Sequence, residues 1–417
     1  MIVNADILVV VVLPDEVGII ESDIAGRPAR DYLLEGLSRC DRAEVKVIVD
    51  GDTFSPVWID NYPNISGCNL ADLDAKFQVD RGILIVDARA WLSQVALAGA
   101  FARAREAGTG FRVVESGRFG QPILHEAMTL AVYLASAQAG SKLLIRERTT
   151  PRQGLEGVLN PEVFTNAVAI DASRLDASGR ALLIDSYEEI AELERELLLK
   201  RASRAMRQGV RIRDPNRVYI RGDLVCGSGV EIEINVIIEG HVALGNGAKI
   251  GANSILRNSR IGENTRIHPF SLVEDSSIGS NGFVGPYGRI RPGSIVGDGV
   301  QIGNYVEIKN SRIGNDSRIN HHTFIGDAVL ADQVTIGAGT ITCNHDGTGT
   351  QQTIIERRAY IGSGCNLVAP LRIGEGAIVG AGSTITSDVP PAKLTLARSP
   401  QTTIENWRGP KTRRGKK

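Results

Sequence analysis

The chain has 417 residues, and this length predicts two or three domains rather than one. Its 47 Lys and Arg residues balance 48 Asp and Glu residues, so the basic footprint of a nucleic-acid-binding protein is missing. Hydrophobic residues make up 42% of the chain and charged residues 23%, which is typical of a soluble globular protein. The 46 glycines, with only 5% aromatic residues, indicate many tight turns.

The five cysteines are scattered, without a CxxC pair or a histidine at zinc-finger spacing. This pattern argues against a structural zinc site or a disulfide scaffold and is typical of a reducing compartment. The apolar run at 7–13 is too short to span a bilayer, and no basic segment precedes it as in a signal peptide. We therefore expect a cytoplasmic protein that binds neither nucleic acid nor membrane.

Residues 1–185 have the pattern of an α/β domain. Buried parallel strands are predicted at 6–13, 44–50 and 82–87, and helices at 29–40, 90–108 and 122–140. Strands that alternate with helices are typical of a doubly wound sheet. Residues 186–210 then predict a connecting helix, with Ser186 and Glu189 forming a capping box at its start.

From about residue 222 the period of the apolar residues becomes six. This period belongs to the hexapeptide repeat of a parallel β-helix, where three repeats make one coil and each aliphatic side chain points inward. We predict a left-handed β-helix, the hand of this repeat class, over residues 211–400, followed by a basic tail at 401–417. The aliphatic residues in phase are Ile232, Ile238, Leu244, Ile250 and Leu256; Ile278, Val284, Ile290, Val296, Ile302 and Ile308; Ile313, Ile319 and Ile325; and Ile361, Leu367, Ile373, Val379 and Ile385.

The repeat is interrupted at 343–358, where polar residues and glycines replace the inward aliphatic residue. A loop inserted into a solenoid commonly carries the binding site. Before this loop, Arg291 and Lys309 are separated by one coil, so they are expected to stack on one face. Two stacked cations suit a phosphate, although a solvated charge ladder is the alternative. A histidine of the pair His321 and His322 suits a general base that deprotonates an amine.

More than half of the chain carries the motifs of one enzyme family. These motifs are RDPNRVYIRG (213–222), EINVIIEG (233–240), GPYGRIRPG (285–293), IGNYVEIK (302–309), IGAGTITCNHDG (336–347), LVAP (367–370) and LARSPQT (396–402). Residues 186–417 thereby resemble the acetyltransferase half of the bifunctional GlmU-type family, which joins an N-acetylglucosamine-1-phosphate uridyltransferase to a glucosamine-1-phosphate N-acetyltransferase. The resemblance implies a homotrimer that binds acetyl-CoA between subunits. It also implies N-acetylation of an amino-sugar phosphate, first of all glucosamine-1-phosphate, in UDP-N-acetylglucosamine biosynthesis.

The same resemblance implies roles for individual residues. It places His321 on the catalytic base, and Arg291 and Lys309 on the ligands of the sugar phosphate. The positions that contact acetyl-CoA all match the family and are Ala338, Asn344, Ser363, Ala381 and Arg398. Arg291 and Lys309 match the family, but four other positions on the acceptor side depart from it: Phe324 replaces a tyrosine, Thr335 an asparagine, Thr350 a lysine and His345 a tyrosine. The resemblance therefore implies an intact donor site and altered recognition of the acceptor.

The N-terminal half departs further from the family. Family members carry a Gly-rich phosphate-binding loop after the first strand, whereas residues 13–29 here read LPDEVGIIESDIAGRPA. Asp87 and Asp185 stand where the family has a metal-binding Asp and Asn, so two carboxylates could hold Mg²⁺. An Asp that ends a buried strand is also an ordinary strand-to-loop residue. We expect residues 1–185 to be a degenerate nucleotidyltransferase-like domain without uridyltransferase activity.

The sequence leaves two alternative functions open. One is acetylation of a different amino sugar or of a sugar nucleotide. The other is a trimeric scaffold that binds acetyl-CoA without turnover. His321 and the donor positions favour turnover, whereas Phe324, Thr335 and Thr350 argue against the standard acceptor.

Overall fold

The protein is described by a computed structural model that covers residues 7–12, 21–39, 43–48, 62, 65–68, 82–92, 94–106, 111–114, 129–134, 155, 168–171, 182–184 and 186–407. The chain divides into two compact units, Met1–Leu197 and Leu198–Lys417. The division falls within the helix Tyr187–Arg207. Within the described ranges, no helix has the length and hydrophobicity needed to span a bilayer.

The first unit contains a mostly parallel sheet. Its described elements are β1 (Ile7–Val12), β2 (Asp23–Ile24), β3 (Arg27–Pro28), α1 (Ala29–Ser38), β4 (Ala43–Ile48), β5 (Ile65–Cys68), β6 (Gly82–Asp87), β7 (Ala90–Trp91), α2 (Gln94–Glu106), β8 (Phe111–Val114), β9 (Thr129–Leu134), β10 (Val168–Asp171) and β11 (Leu182–Leu183). The described strands of the sheet lie in the order β10-β8-β9-β6-β1-β4-β5. Strand β1 pairs in parallel with β4 and β6, as predicted from their apolar runs.

The predicted helix at 122–140 is wrong over Thr129–Leu134, which form strand β9. This strand pairs antiparallel with both β6 and β8. Its sequence TLAVYL contains β-branched and aromatic residues, which favour strands, and pairing on both edges outweighs the helical spacing. The predicted helix at 90–108 begins only at Gln94, because Ala90–Trp91 form strand β7 and pair with β11. The remaining residues of 122–140 lie outside the described ranges.

The long helix α3 (Tyr187–Arg207) begins and ends where its sequence directs. Oγ of Ser186 accepts a hydrogen bond from the backbone N–H of Glu189 at 3.3 Å, as in the predicted cap. The helix ends before Gly209, whose φ of +97° is a left-handed conformation that glycine adopts without strain. Ala202 and Ala205, near this end, join the buried core of the second unit.

The second unit is a left-handed parallel β-helix, which confirms the predicted fold class. Its strands form three faces, named A, B and C, and a short 3₁₀ helix (Pro215–Arg217) follows the first strand of face A. Strands β13 (Val218–Cys226) and β15 (Val236–Leu244) span faces B and C. In most coils the register partners are 17 or 18 residues apart, as in Lys249 with Arg266 and Glu231 with Lys249, and the inserted loop lengthens this separation to 25.

Face A forms one sheet, and faces B and C together form a second sheet. Face A consists of β12 (Arg211–Ile212), β14 (Glu231–Ile232), β16 (Lys249–Ile250), β19 (Arg266–Ile267), β22 (Phe283–Val284), β25 (Gln301–Asn304), β28 (Arg318–His321), β31 (Thr335–Ile336), β34 (Tyr360–Ile361), β37 (Ile378–Val379) and β39 (Leu394–Thr395). Face B continues with β17 (Ile255–Arg257), β20 (Leu272–Glu274), β23 (Arg289–Ile290), β26 (Glu307–Lys309), β29 (Phe324–Gly326), β32 (Ile341–Cys343), β35 (Asn366–Val368) and β38 (Thr384–Ile385). Face C continues with β18 (Arg260–Ile261), β21 (Ser277–Ile278), β24 (Ile295–Val296), β27 (Arg312–Ile313), β30 (Ala328–Leu330), β33 (Thr353–Ile355) and β36 (Leu371–Ile373).

The core of the β-helix is the stack of predicted aliphatic residues. Every one of them is buried, with an exposed fraction of 3% or less. Between the faces, residues in the left-handed conformation turn the chain, and their side chains bond from coil to coil. For example, Nδ2 of Asn258 donates to Oδ1 of Asp275 at 3.0 Å. The six-residue period therefore places both the core and the corners, as the sequence predicts.

We expect Ile250→Ala to destabilise the β-helix by about 2–5 kcal/mol, because Ile250 is 1% exposed and its truncation leaves a cavity. Urea unfolding of the second unit measures this loss. Ile378→Ala is the matched control, because Ile378 also lies on face A but is 46% exposed. The control should change stability by only about 0.5 kcal/mol. Equal losses for the two variants would contradict the inward stack.

Candidate active site

His321 lies at the end of β28, on face A, and its side chain is exposed. Its register partner one coil earlier is Asn304, and Nδ1 of His321 lies 2.5 Å from Oδ1 of Asn304. His322 has a left-handed φ of +48°, and its ring stacks on that of Tyr305 with 5.0 Å between centroids. The two neighbouring histidines therefore have different surroundings, and His321 is the one with a polar partner.

An exposed stack of rings marks the corner between faces A and B. Phe270, Tyr287, Tyr305 and His322 follow one another in successive coils, each with positive φ and with centroids 5.0–5.1 Å apart. His321 precedes this corner, and Phe324 follows it as the first residue of β29. His321 and the side chains of face B therefore lie on opposite sides of one corner.

His321 is the first residue of a column that continues up the β-helix through Ala338, Ser363 and Ala381. Backbone hydrogen bonds of 2.7–3.1 Å connect these residues from coil to coil. The carbonyl oxygens of His321, Ala338 and Ser363 accept from the N–H groups of Gly339, Gly364 and Gly382, respectively. Nη1 of Arg398 donates to the carbonyl oxygen of Ala381 at 2.9 Å. Neighbouring strands are about 4.8 Å apart, so the column rises roughly 14 Å from His321 to Ala381. The structure thus brings together, in one line, the proposed base and four proposed acetyl-CoA positions; we name it the donor column.

The side chains of the donor column leave a shallow surface. Ala338 and Ala381 carry only a methyl group and Ser363 a hydroxymethyl group, and Ser363, Ala381 and Arg398 are exposed. At one end the column presents a histidine, and at the other a guanidinium. This arrangement accommodates an extended molecule with its reactive group beside His321 and anionic groups beside Arg398.

Arg291 and Lys309 lie on face B, where they stack as predicted. Arg291 follows Ile290 and Lys309 follows Ile308, and these two isoleucines are register partners in adjacent coils. Nη1 of Arg291 donates to Oε1 of Glu307 at 2.8 Å, and Nζ of Lys309 lies 3.8 Å from Oδ2 of Asp327. A guanidinium has five N–H donors and an ammonium group three, so both cations keep donors for a further anion.

The two cations interrupt a regular charge pattern on face B. In the earlier coils the signs alternate, and Arg257 bonds carboxylates on both sides, Glu239 and Glu274. After this alternation two cations follow one another, and the next position is a glycine. The complete column is Arg221, Glu239, Arg257, Glu274, Arg291, Lys309 and Gly326. The broken alternation is the feature that favours an anion site over a solvated ladder.

Asp327 organises the side chains beside Lys309. Nδ2 of Asn310 donates to Oδ1 of Asp327 at 2.6 Å, and Nδ2 of Asn344 donates to Oδ2 at 2.5 Å. Burial raises the pKa of the Asp327 carboxyl, but these hydrogen bonds and the charge of Lys309 outweigh it and hold the pKa below its usual range. The ionised Asp327 thereby fixes the amide of Asn344, with the amide oxygen turned away from the carboxylate.

The inserted loop is shorter than predicted, because Thr353–Ile355 already form strand β33 on face C. His345 and Thr350 form an isolated antiparallel bridge within the loop. Asp346 lies at its tip, where the backbone N–H and hydroxyl of Thr348 and the N–H of Gly349 donate to its carboxylate. These hydrogen bonds, those of Thr348 first, hold the pKa of Asp346 below its usual range. The loop is therefore an ordered hairpin in which His345 and Thr350 face each other.

The proposed substrate-binding residues lie on two adjacent faces of the β-helix. Phe324 lies on face B near the cations, and its ring covers Gly326, where an added Cβ would come within 2.6 Å of Cζ. Thr335 begins β31 on face A, in register with Arg318 and Tyr360. Arg291, Lys309, Phe324 and Asn344 thus belong to face B, and Thr335 and the donor column to face A.

Asp87 does not fit a magnesium ligand. It ends β6 with no exposed surface, and both carboxylate oxygens accept hydrogen bonds from Arg89, Oδ1 from Nε at 3.1 Å and Oδ2 from Nη2 at 3.0 Å. A guanidinium paired bidentately with a buried carboxylate leaves no place for a second cation there. Asp185 and residues 13–20 lie outside the described ranges. In the described part of the chain, no three metal-ligating side chains of the His, Cys, Asp or Glu type come together.

Sequence reasoning missed Asn304 and Asp327. Each lies one coil from a residue that was singled out, Asn304 from His321 and Asp327 from Lys309. The repeat itself carried the signal, because a side chain 17 or 18 residues away in a β-helix is a neighbour.

Comparisons with known proteins confirm the resemblance for the C-terminal half. The family model for the GMPPB C-terminal domain matches residues 220–303, and the bacterial transferase hexapeptide model (six repeats) matches residues 352–387. A protein of Azoarcus sp. described as bifunctional protein GlmU is 47% identical over 235 residues, which cover 56% of this chain and 52% of that protein. The protein of the same description from Thiobacillus denitrificans is 49% identical over 245 residues, 59% of this chain and 54% of that protein.

The chain therefore spans about half the length of the curated relatives that it matches. Among solved structures, the Arabidopsis UDP-N-acetylglucosamine acyltransferase is 19% identical with a TM-score of 0.36, and the match covers 45% of this chain and 70% of that one. A likeness at this level indicates nothing about function. What the comparisons establish is the similarity of the C-terminal half to GlmU proteins.

Proposed function

We propose that the protein is an acetyl-CoA-dependent N-acetyltransferase whose acceptor is an amino-sugar phosphate, glucosamine-1-phosphate being the first candidate. Its product would enter UDP-N-acetylglucosamine synthesis. The observation that carries this proposal is the donor column, which joins His321 to Arg398 through three small residues. The similarity of the C-terminal half to bifunctional GlmU proteins supports the same reaction.

In this proposal acetyl-CoA lies along the donor column, with its thioester near His321 and its phosphates near Arg398. The amine nitrogen of the acceptor attacks the thioester carbonyl carbon, and His321 takes the proton that the nitrogen loses. The tetrahedral intermediate then expels the CoA thiolate, which is protonated by the imidazolium. The C–N bond forms, the C–S bond breaks, and His321 returns to its neutral form.

Arg291 and Lys309 would hold the phosphate of the acceptor on face B. His321 ends a strand of face A, on the other side of the corner from these cations. In this proposal the protein is the homotrimer implied by the resemblance, with acetyl-CoA and acceptor bound between copies. Phe324 and Thr335 would contact the sugar, and neither offers the phenol or amide expected of the standard acceptor pocket.

The proposal is tested by incubating the purified protein with acetyl-CoA and a panel of amino sugars, amino-sugar phosphates and amino-sugar nucleotides. Release of free CoA thiol measures turnover, and mass spectrometry identifies the acetylated product. We expect turnover with a phosphorylated amino sugar and little with its unphosphorylated form. If acetyl-CoA binds but no member of the panel is acetylated, the proposed reaction is wrong and a binding scaffold is favoured.

We expect residues 186–417, produced alone, to form a soluble trimer that retains the acetyltransferase activity of the whole chain. The β-helix buries its own aliphatic stack, and contacts between neighbouring coils supply its stability. Light scattering on a size-exclusion column measures the mass, and thiol release measures the activity. A fragment that is monomeric or aggregated would contradict this expectation.

We expect the full chain to release no pyrophosphate from UTP and N-acetylglucosamine-1-phosphate, even with Mg²⁺. Transfer to a nucleoside triphosphate requires cations that neutralise the phosphates, whereas Asp87 is already neutralised by Arg89. The assay is run beside thiol release on the same preparation. Mg²⁺-dependent pyrophosphate release at about 1 s⁻¹ or faster would show that the N-terminal half is an active nucleotidyltransferase.

A further inference from the structure

We propose that Asn304 is a positioning residue that fixes the tautomer of His321, so that Nε2 is the atom that accepts the proton. This inference rests on the proposed function for its kinetic consequence, but not for its structural content. Asn304 does not contact the reacting atoms in this proposal and acts through His321.

The hydrogen bond between the two side chains decides the tautomer. Oδ1 of Asn304, at 2.5 Å from Nδ1 of His321, is an amide oxygen and can only accept a hydrogen bond. Nδ1 must therefore carry the proton and donate it. In a neutral imidazole only one nitrogen is protonated, so Nε2 keeps its lone pair.

The backbone holds both residues in place for this bond. Asn304 ends β25 and His321 ends β28, and the two are register partners in adjacent coils of face A. The N–H of His322 donates to the carbonyl oxygen of Asn304 at 3.1 Å, which continues the pairing to the end of both strands. Asn304 is half-buried, whereas His321 is exposed, so a half-buried amide holds an exposed ring.

The neighbouring residues explain why the ring needs an anchor. The other hydrogen bonds described for His321 involve its backbone. Its carbonyl oxygen accepts one from the Thr323 hydroxyl at 2.8 Å and one from the N–H of Gly339 at 3.1 Å. The aromatic neighbour Tyr305 stacks on His322 instead. Asn304 is therefore the side chain through which this chain orients the imidazole of His321.

The test combines nitrogen NMR with kinetics. The protein is labelled with ¹⁵N-histidine and studied at a pH well above the range in which histidines titrate. The signal of His321 is assigned by its absence in His321→Ala. We expect Nδ1 to be protonated and Nε2 unprotonated in the unaltered chain, and this pattern to be lost in Asn304→Ala. A protonated Nε2 in the unaltered chain would overturn the proposal.

Kinetics separates positioning from a merely structural role. We expect Asn304→Ala to lower kcat roughly 10-fold to 100-fold, the scale found when a partner that orients a functional histidine is removed. The KM for acetyl-CoA should stay within about 2-fold of the unaltered value, since binding along the donor column does not involve Asn304. Asn304→Asp keeps an acceptor oxygen beside Nδ1, so it should retain the tautomer and most of kcat.

Asn246→Ala is the matched control. Like Asn304, Asn246 bonds to a neighbouring coil, because its Oδ1 accepts a hydrogen bond from the N–H of Ser228 at 2.9 Å. It lies several coils before His321 in the sequence. It should leave both tautomer and kcat unchanged. If Asn304→Ala leaves the tautomer and kcat as they are, the proposal is wrong. If the tautomer changes as expected but no variant, nor the unaltered chain, acetylates any acceptor, the proposed function fails and the positioning role of Asn304 stands.

Discussion

Replacing His321 with alanine should lower kcat for acetyl transfer roughly 10²–10⁴-fold, the usual contribution of a general base. The affinity for acetyl-CoA should change by less than about 2-fold, because the rest of the donor column, from Ala338 to Arg398, is untouched. The side chain of His321 is exposed and supports no core residue, so the fold should be unaffected. Thiol release under saturating substrates and calorimetric titration of acetyl-CoA measure the two quantities.

His322→Ala is the control for this experiment. His322 is adjacent in sequence, is a histidine and is equally exposed, but its ring stacks on Tyr305 at the corner. It should retain most of the activity. If His322→Ala is the inactivating change and His321→Ala is mild, the proposed base is wrong by one residue.

The β-helix could be predicted almost completely from the sequence, because in this fold distance along the chain determines distance in space. A residue such as Ile290 contacts the aliphatic residues one coil away, so a local period reports the three-dimensional core. The same rule placed Arg291 and Lys309 on one face. It did not show on which side of a corner each site residue lies, because the six-residue period gives the same inward position on faces A, B and C.

The first unit was less predictable, since its pairings are not local. Strand β9 follows β8 by a long segment and inserts antiparallel between β8 and β6, so its sequence alone read as a helix. The pair Asp87 and Arg89 is only two residues apart. Even so, the sequence does not show that Arg89 blocks metal binding by Asp87, because this effect depends on the burial of the pair. An exposed Asp at that position would remain open to a metal ion.

The separation of faces A and B changes how the site residues are interpreted. The sequence lists His321, Lys309 and Phe324 within one short stretch, which suggests a single pocket. In the structure His321 ends a strand of face A, whereas Lys309 and Phe324 lie on face B, after the corner that the ring stack marks. In the proposed homotrimer the site lies between copies of the chain, so loss of the trimer should abolish turnover even where each chain stays folded.

Replacing Ala381 with leucine should weaken acetyl-CoA binding roughly 10-fold to 100-fold. A leucine side chain there would project into the shallow surface between Ser363 and Arg398, where acetyl-CoA is proposed to bind. The steric overlap should cost about 1–3 kcal/mol of binding free energy. Because Ala381 is exposed, the added atoms should not strain the core, and the melting temperature should stay unchanged. Calorimetric titration of acetyl-CoA measures the affinity.

The control for this variant is Thr386→Leu, an equally exposed position that follows β38 and lies outside the donor column. It should bind acetyl-CoA as the unaltered chain does. The comparison with His321→Ala is informative because the two changes should fail in opposite ways. His321→Ala loses kcat and keeps affinity, whereas Ala381→Leu loses affinity and keeps much of kcat once acetyl-CoA is saturating. If Ala381→Leu binds acetyl-CoA with full affinity, the donor does not lie along this column, and Arg398 cannot be the residue that holds its phosphates.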